Sequence, residues 1–250
     1  MAISATIGGV VLPFCVMNAS GTWSTTAAEL VALAGSEAGA VVFRSTTVHP
    51  FLHPEFRSLH NPGYDRYLPL LAELRVFGKP LVGSIAGASA DEYVTLARAF
   101  GEAGADLVEV NIADPYVAAT LAPWEDLAAL VKLLTTAREA AGRPLMVKCP
   151  RRIELPLAEL RRVLRDAAVD AVVLANTFEV MEKFFLEGTD PFPAVVAMGG
   201  VRSGYDLANA LRKGATAVQV SSDLAIEGPP LFARIAREHA LLERGKYGMG

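Results

Sequence analysis

Along the chain, short apolar runs that end in polar or glycine residues alternate with amphipathic stretches. Eight such runs occur: FCVMNAS from Phe14, AVVFRST from Ala40, PLVGSIA from Pro80, LVEVNIA from Leu107, PLMVKCP from Pro144, AVVLANT from Ala171, AVVAMGG from Ala194 and AVQVSSD from Ala217. Continuous apolar runs of this length read as parallel strands buried on both faces, and the amphipathic stretches as the helices that cover them. Thr25 is placed to cap a helix through Leu33, with Glu29 near its first turn. Ala90 to Glu102 carries Tyr93, Leu96, Ala97 and Phe100 on one face, and Gly104 ends it. Pro123 precedes a helix from Trp124 to Ala140, and Pro156 one through Ala167. Ser203 starts a helix that closes near Gly214. Pro229 and Pro230 open a last one to about Glu243, which puts His239 on the surface. Eight strand–helix alternations predict an α/β fold, a (β/α)8 TIM barrel, rather than an open doubly wound sheet. No Pro/Ser/Gly-rich linker divides residues 1–250, so one barrel domain is expected.

Composition agrees. The 250 residues are 52% apolar and 20% charged, enough for a large core and against disorder. The formal net charge is −4, with no basic block, which disfavours nucleic acid as a partner. Cys15 and Cys149 form neither a disulfide framework nor a zinc motif and read as small buried residues. With no signal peptide and no apolar segment of membrane-spanning length, a soluble cytoplasmic protein is expected.

Active sites of barrels lie at the C-terminal ends of the strands, and the polar residues there carry the functional reading. Arg44 ends the second strand, Glu109 and Asn111 share one face of the fourth, Lys148 ends the fifth and Asn176 the sixth. Charges and amides at that height are poor packing choices unless partnered. For Glu109 a structural pairing with Lys148 is expected, and for the other four a role in function. Gly199-Gly200 and Ser221-Ser222 end the last two strands, where barrels often bind phosphate; a tight turn is the plainer reading of the glycines. His49, His53 and Glu55 fit a surface loop better than a metal site. His60 reads as either a loop residue or a substrate contact.

These residues, with their surroundings, resemble the dihydroorotate dehydrogenases, especially the soluble class 1 enzymes. The resemblance rests on MNASGTWSTTAAEL from Met17, RSTT from Arg44, SIAG from Ser84, NIADP from Asn111, VKCP from Val147, ANT from Ala175, GGVRSGYDLANALRKGAT from Gly199 and QVSSDLAIEGPPLF from Gln219. It implies an FMN-carrying barrel. Ala19, Ser20 and Gly21 then match the turn against the flavin. Arg44 and Ser45 match a Lys-Ser pair near flavin and substrate. Asn61, Asn111, Asn176 and Thr177 match substrate-binding positions, Asn111 also touching flavin. Lys148 matches the lysine beside the flavin ring, and Gly199, Gly200, Ser221 and Ser222 the phosphate cradle. The implied chemistry is a hydride passed to flavin and a proton taken by a base in the loop after the fourth strand. The resemblance to class 1 also implies a homodimer; with no membrane-binding N-terminal extension visible, a soluble electron acceptor is expected rather than a membrane quinone.

The chain departs from that pattern. Asp114 stands where the family has a cysteine or serine base, Tyr116 where it has a substrate-binding asparagine, and Arg44 in place of lysine. Ser221 replaces a glycine, and a glycine pair is missing between Phe178 and Pro193. A carboxylate has a reference pKa near 3.9 against roughly 8.5 for a thiol, so Asp114 is the weaker base unless burial raises it. Asp114 reads three ways: a substitute base, a recognition group for another substrate, or a loop carboxylate in a protein that has lost the activity. Two other functions stay open beside the FMN oxidoreductase. One is a non-catalytic relative that binds flavin or a pyrimidine as a partner or regulatory protein. The other is a barrel lyase or aldolase using Lys148 as a Schiff-base amine.

Overall fold

The computed structural model describes residues 3–52, 60–114, 126–151, 153, 155–175, 184 and 192–247. All eight expected strands are present. They are β3 (Val16–Asn18), β4 (Val41–Val42), β5 (Leu81–Ile85), β6 (Leu107–Asn111), β7 (Leu145–Lys148), β8 (Ala171–Ala175), β9 (Val195–Met198) and β10 (Ala217–Val220). Two short strands precede them, β1 (Ala5–Ile7) and β2 (Val10–Leu12). The ladder is parallel throughout and runs β3-β10-β9-β8-β7-β6-β5-β4.

The remaining seam, between β3 and β4, is closed by isolated bonds. Gly39 N donates to Val16 O at 2.8 Å and Ser45 N to Ser20 O at 3.1 Å. Between them the Asn18 side chain replaces a backbone partner: its Nδ2 donates to Val42 O and its Oδ1 accepts from Val42 N. The fold is therefore a (β/α)8 barrel.

The helices are α1 (Ala27–Ala34), α2 (Leu68–Leu74), α3 (Ala90–Glu102), α4 (Leu127–Ala141), α5 (Leu157–Asp166), α6 (Gly204–Arg212), α7 (Ser222–Glu227) and α8 (Pro230–Tyr247). Side-chain caps set many of the starts. Ser89, Asp126 and Ser203 each accept a hydrogen bond from the backbone of the first turn. The cap of α1 is Thr26, one residue later than expected. Glu29 is three residues from Thr26, so it reaches back to the Thr26 N–H while Thr26 accepts from Glu29 N, a reciprocal box that Thr25 is too far back to make. α4 starts at Leu127 rather than Trp124 because Asp126 caps it; Pro123 and Trp124 lie outside the described residues. The expected face of α3 is buried, Tyr93, Leu96, Ala97 and Phe100 being inaccessible.

α8 runs beyond Glu243, and His239 is buried, not on the surface. The reason is Gly204: a side chain there would collide with the backbone at Glu238 and His239, so α6 and α8 cross at nearly backbone contact and cover the imidazole.

The β1–β2 hairpin turns on Gly8-Gly9, both in the left-handed region. It lies against Pro144 and Asp170, at the starts of β7 and β8, and so caps the N-terminal end of the barrel. That end is tied further by two carboxylates in matching positions. Asp106 Oδ2 accepts from Leu81 N and pairs with Arg75; Asp170 Oδ2 accepts from Leu145 N and pairs with Arg138. The opposite end, where the strands finish, is left for polar side chains.

Candidate active site

The C-terminal ends of the strands surround a cavity of about 820 Å3, within the range of cofactor sites. Most of the residues singled out from the sequence line it: Ala19, Ser20 and Gly21 after β3, Arg44 and Ser45 after β4, and Asn111 and Asp114 at and after β6. Lys148 at the end of β7, Gly199 and Gly200 after β9, and Ser221 and Ser222 at the start of α7 complete the set. Asn61 is not in the described lining. Its Oδ1 is occupied by Thr47 N, Thr47 Oγ1 and Gly63 N, which fold the loop after β4 onto itself. Tyr116, Asn176 and Thr177 fall outside the described residues, as do His53 and Glu55. Among the described residues no cluster of three or more His, Cys, Asp or Glu stands together as a metal site.

The sequence reading did not single out Thr22, Arg151, Arg202 or Asp223, which also line the cavity. The signal was available for the two arginines, since each follows directly on a strand-end motif, KCPR and GGVR. Thr22 Oγ1 and Ser221 Oγ are 2.7 Å apart, joining the turn after β3 to the end of β10. Among the described ionised lining residues, Arg44, Lys148, Arg151 and Arg202 outnumber Asp114 and Asp223. The excess favours an anionic ligand. Gly199 and Gly200 have φ of +88° and +77°. No atom lies within 4 Å of a Cβ placed on Gly199, so the left-handed backbone, not lack of room, demands glycine there.

Arg44 is 6% exposed. Its Nη1 donates to Gly21 O at 3.0 Å, and its Nε is buried without a partner. Burial pulls the guanidinium below its ordinary value, against the opposing negative fields of Tyr67, Asp114 and Glu29. Asp114 therefore sits within the electrostatic reach of Arg44, at the same side of the cavity. Nε and Nη2 form the edge of a guanidinium that grips a carboxylate with two parallel bonds.

Lys148 is nearly buried at 6% exposure. Its Nζ donates to Ser20 Oγ at 2.8 Å and lies 3.4 Å from Glu109 Oε1, the expected pairing. Asn111 is fixed by two bonds, Nδ2 to Ser45 Oγ at 2.7 Å and Ala113 N to its Oδ1 at 3.0 Å. The Tyr93 hydroxyl, which burial holds above the ordinary phenol range, donates to Asn111 O. Ser45 is buried within reach of Ser20, Ser84 and Asn111. Cys149 lines the cavity, but burial pushes its thiol up to about 12, and Cys15 in the core likewise to about 12. Neither is a nucleophile at neutral pH.

Curated proteins similar to this chain include dihydroorotate dehydrogenases of several types. A putative dihydroorotate dehydrogenase A (fumarate) of Streptococcus equi subsp. equi is 27% identical, over 90% of this chain and 88% of its own. Dihydroorotate dehydrogenase (fumarate) of Trypanosoma cruzi is 28% identical over 91% and 88%. The catalytic subunit of dihydroorotate dehydrogenase B (NAD(+)) of Methanothermobacter thermautotrophicus is 24% identical over 88% and 86%. Among solved structures, ligand-free DHODH of Eimeria tenella superposes with a TM-score of 0.83 at 18% identity, covering 98% of this chain and 88% of that one. No family profile matches the chain. Among the described residues, no helix is long and apolar enough to cross a membrane.

Proposed function

We propose that this chain, a divergent relative of the dihydroorotate dehydrogenases, is an FMN-dependent oxidoreductase acting on dihydroorotate or a closely similar dihydropyrimidine. The observation that carries the reading is the convergence of Ser20, Arg44, Asn111, Lys148, Gly199 and Ser221 on one cavity of cofactor size with an excess of cations. These residues fit a flavin mononucleotide. Gly199-Gly200, Ser221 and Ser222 would hold its phosphate, with Arg202 beside them. Ala19, Ser20, Gly21, Ser45, Asn111 and Lys148 would flank its ring, Ser45 through the bonds it makes to Ser20 and Asn111.

Bound FMN supplies the hydride acceptor. The chain supplies the rest. Lys148 presents a cation that favours negative charge on the ring system. Asn111 presents its remaining Nδ2 hydrogen and Arg44 its guanidinium charge, both suited to a substrate carboxylate; Asn61, Tyr116, Asn176 and Thr177 remain assigned to substrate by resemblance. Asp114 takes the proton from the carbon next to the one that loses hydride. A positioned base of this kind contributes roughly a hundredfold to ten-thousandfold in rate.

One observation favours a second reading. Asp114 lies in the electrostatic field of Arg44, an arrangement that also suits a carboxylate held for recognition. In that case Asp114 serves recognition, in a flavin enzyme for another dihydropyrimidine or in a binding protein without turnover. A visible spectrum of the purified protein, before and after anaerobic dihydroorotate, separates the two. Flavin bands that bleach support the dehydrogenase. Bands that persist favour the second reading, and a colourless protein that refuses added FMN removes both.

A further inference from the structure

Beneath the cavity lies a set of buried polar groups that does not itself line it. Glu109 on β6 is inaccessible to solvent, as are Ser84 on β5 and Gln219 on β10. Ser84 Oγ donates to Glu109 Oε1 at 2.8 Å, and Gln219 Nε2 donates to Glu109 Oε2 at 2.6 Å. Ser84 and Glu109 are direct partners in the β5–β6 ladder.

The hydroxyl protons can be assigned from the carboxylate outward, because a carboxylate only accepts. Ser84 gives its one proton to Glu109, so at the 2.9 Å contact with Ser45 it accepts, and Ser45 donates. The proton of Ser45 is then used, so at its 2.9 Å contact with Ser20 it accepts, and Ser20 donates. Ser20 in turn accepts from Lys148 Nζ. The bonds run one way, from Lys148 through Ser20, Ser45 and Ser84 to Glu109, and the Lys148–Glu109 contact closes the ring.

The ring leaves few donors for a ligand. Ser45 accepts from Ser20 and Asn111 and donates to Ser84, so its hydroxyl is saturated. Lys148 uses two of its three hydrogens within the ring. Asn111 uses one of two amide hydrogens. The floor thus offers one N–H from each, both donors and both fixed.

We propose that Glu109 is a positioning residue: through the serine ring it fixes the Lys148 ammonium and supplies its counter-charge, so that the floor holds one cationic N–H ready for an electron-rich ligand edge. The inference rests on the flavin reading for the identity of that ligand, but not for the ring itself. Without Glu109 the ammonium would be a nearly buried charge held by Ser20 alone, with no counter-charge in the ring, and burial disfavours the charged form of such a group. Among the described residues, the other ionisable groups that line the cavity are Arg44, Asp114, Cys149, Arg151, Arg202 and Asp223; all are retained in the variants below.

Two substitutions separate charge from connection. Glu109→Gln keeps the shape. Its new amide group can donate to Gln219 Oε1, which is buried and without a partner now, if the Gln219 amide flips. Only the charge is lost. Ser84→Ala keeps every charge and cuts the ring at a residue outside the cavity lining. Denaturant unfolding without added flavin comes first. Glu109→Gln and Lys148→Met each lower the midpoint, and the double variant is no less stable than the weaker single one. Strictly additive losses would overturn the proposal.

FMN titration at pH 7 and pH 9, followed by fluorescence quenching, comes second. Wild type binds about equally at the two values. Glu109→Gln loses about tenfold more at pH 9 than at pH 7, and Ser84→Ala loses about tenfold at both. A Glu109→Gln profile parallel to wild type would overturn the proposal, and so would wild-type affinity in Ser84→Ala. If wild type itself binds no FMN, the flavin reading falls, while the unfolding cycle still decides whether Glu109 holds Lys148.

Discussion

The Asn18 amide exchanges two hydrogen bonds with the backbone of Val42, donating to its carbonyl at 2.6 Å and accepting from its N–H at 2.8 Å. A side chain thus does at this seam what a strand does elsewhere in the barrel. It holds the turn bearing Ala19, Ser20 and Gly21 against the strand end bearing Arg44 and Ser45. Asn18→Ala would leave two buried backbone groups unpaired, each costing about 1–3 kcal/mol. The expected loss is about 2–5 kcal/mol in urea unfolding, far above that of a typical surface substitution. Gly39→Ala attacks the same seam by another route, since its Cβ would overlap the Phe14 carbonyl. It should destabilise comparably, and wild-type stability in both variants would show the seam to be unimportant.

The buried thiols predict an alkaline limit. Cys15 and Cys149 are pushed from the ordinary thiol value of roughly 8.5 to about 12 in the folded protein. Between those values the unfolded chain has lost protons that the folded chain keeps, so stability falls as pH rises. The slope is at most about 1.4 kcal/mol per pH unit for each thiol. Unfolding midpoints measured from pH 8 to 11 should decline less steeply in Cys149→Ala than in wild type. Equal slopes would mean that the thiol ionises freely in the native state. Neither cysteine should react with a thiol reagent at pH 8 until the protein is unfolded.

The eight strands were legible because a parallel strand buried on both faces must be a continuous apolar run, whatever its neighbours. What escaped was decided by tertiary contact. Val41–Val42 is a strand of only two residues because Asn18 substitutes for a longer ladder. His239 reads as a surface residue in its own helix and is covered only because Gly204 lets α6 approach. The β1–β2 hairpin did carry a sequence signal, the Gly8-Gly9 pair between two short apolar runs, but those runs are only three residues each. At the site, Lys148 and Glu109 could be paired from their places on adjacent strands. Ser84 and Gln219 were missed, although each is a lone polar residue within a buried run, the same signal that exposed Glu109.

Arg44 differs from the lysine of the pattern the chain resembles, and its geometry says what the difference does. A lysine could supply the charge but not the bond to Gly21 O together with further N–H donors held in a fixed plane. Under the proposed function, Arg44→Lys should raise KM for dihydroorotate about tenfold, the equivalent of about 1.4 kcal/mol. The kcat should change less. An unchanged KM in steady-state kinetics would mean that the guanidinium edge does not hold the substrate.

Asp114 is where the proposed chemistry is most exposed to test. It lines the cavity after β6, at the position expected of the base, and it lies in the field of Arg44. Asp114→Asn keeps the side chain's size and removes its capacity to take a proton. FMN affinity should stay within a fewfold of wild type, while anaerobic flavin reduction by dihydroorotate slows by about a hundredfold or more. Stopped-flow absorbance separates the two quantities. The pH dependence then distinguishes base from recognition group. If Asp114 is the base, the reduction rate of wild type falls as pH drops through its titration, and this limb is absent in Asp114→Asn. If it serves recognition, the loss appears in substrate affinity, and the reduction rate at saturating substrate is retained.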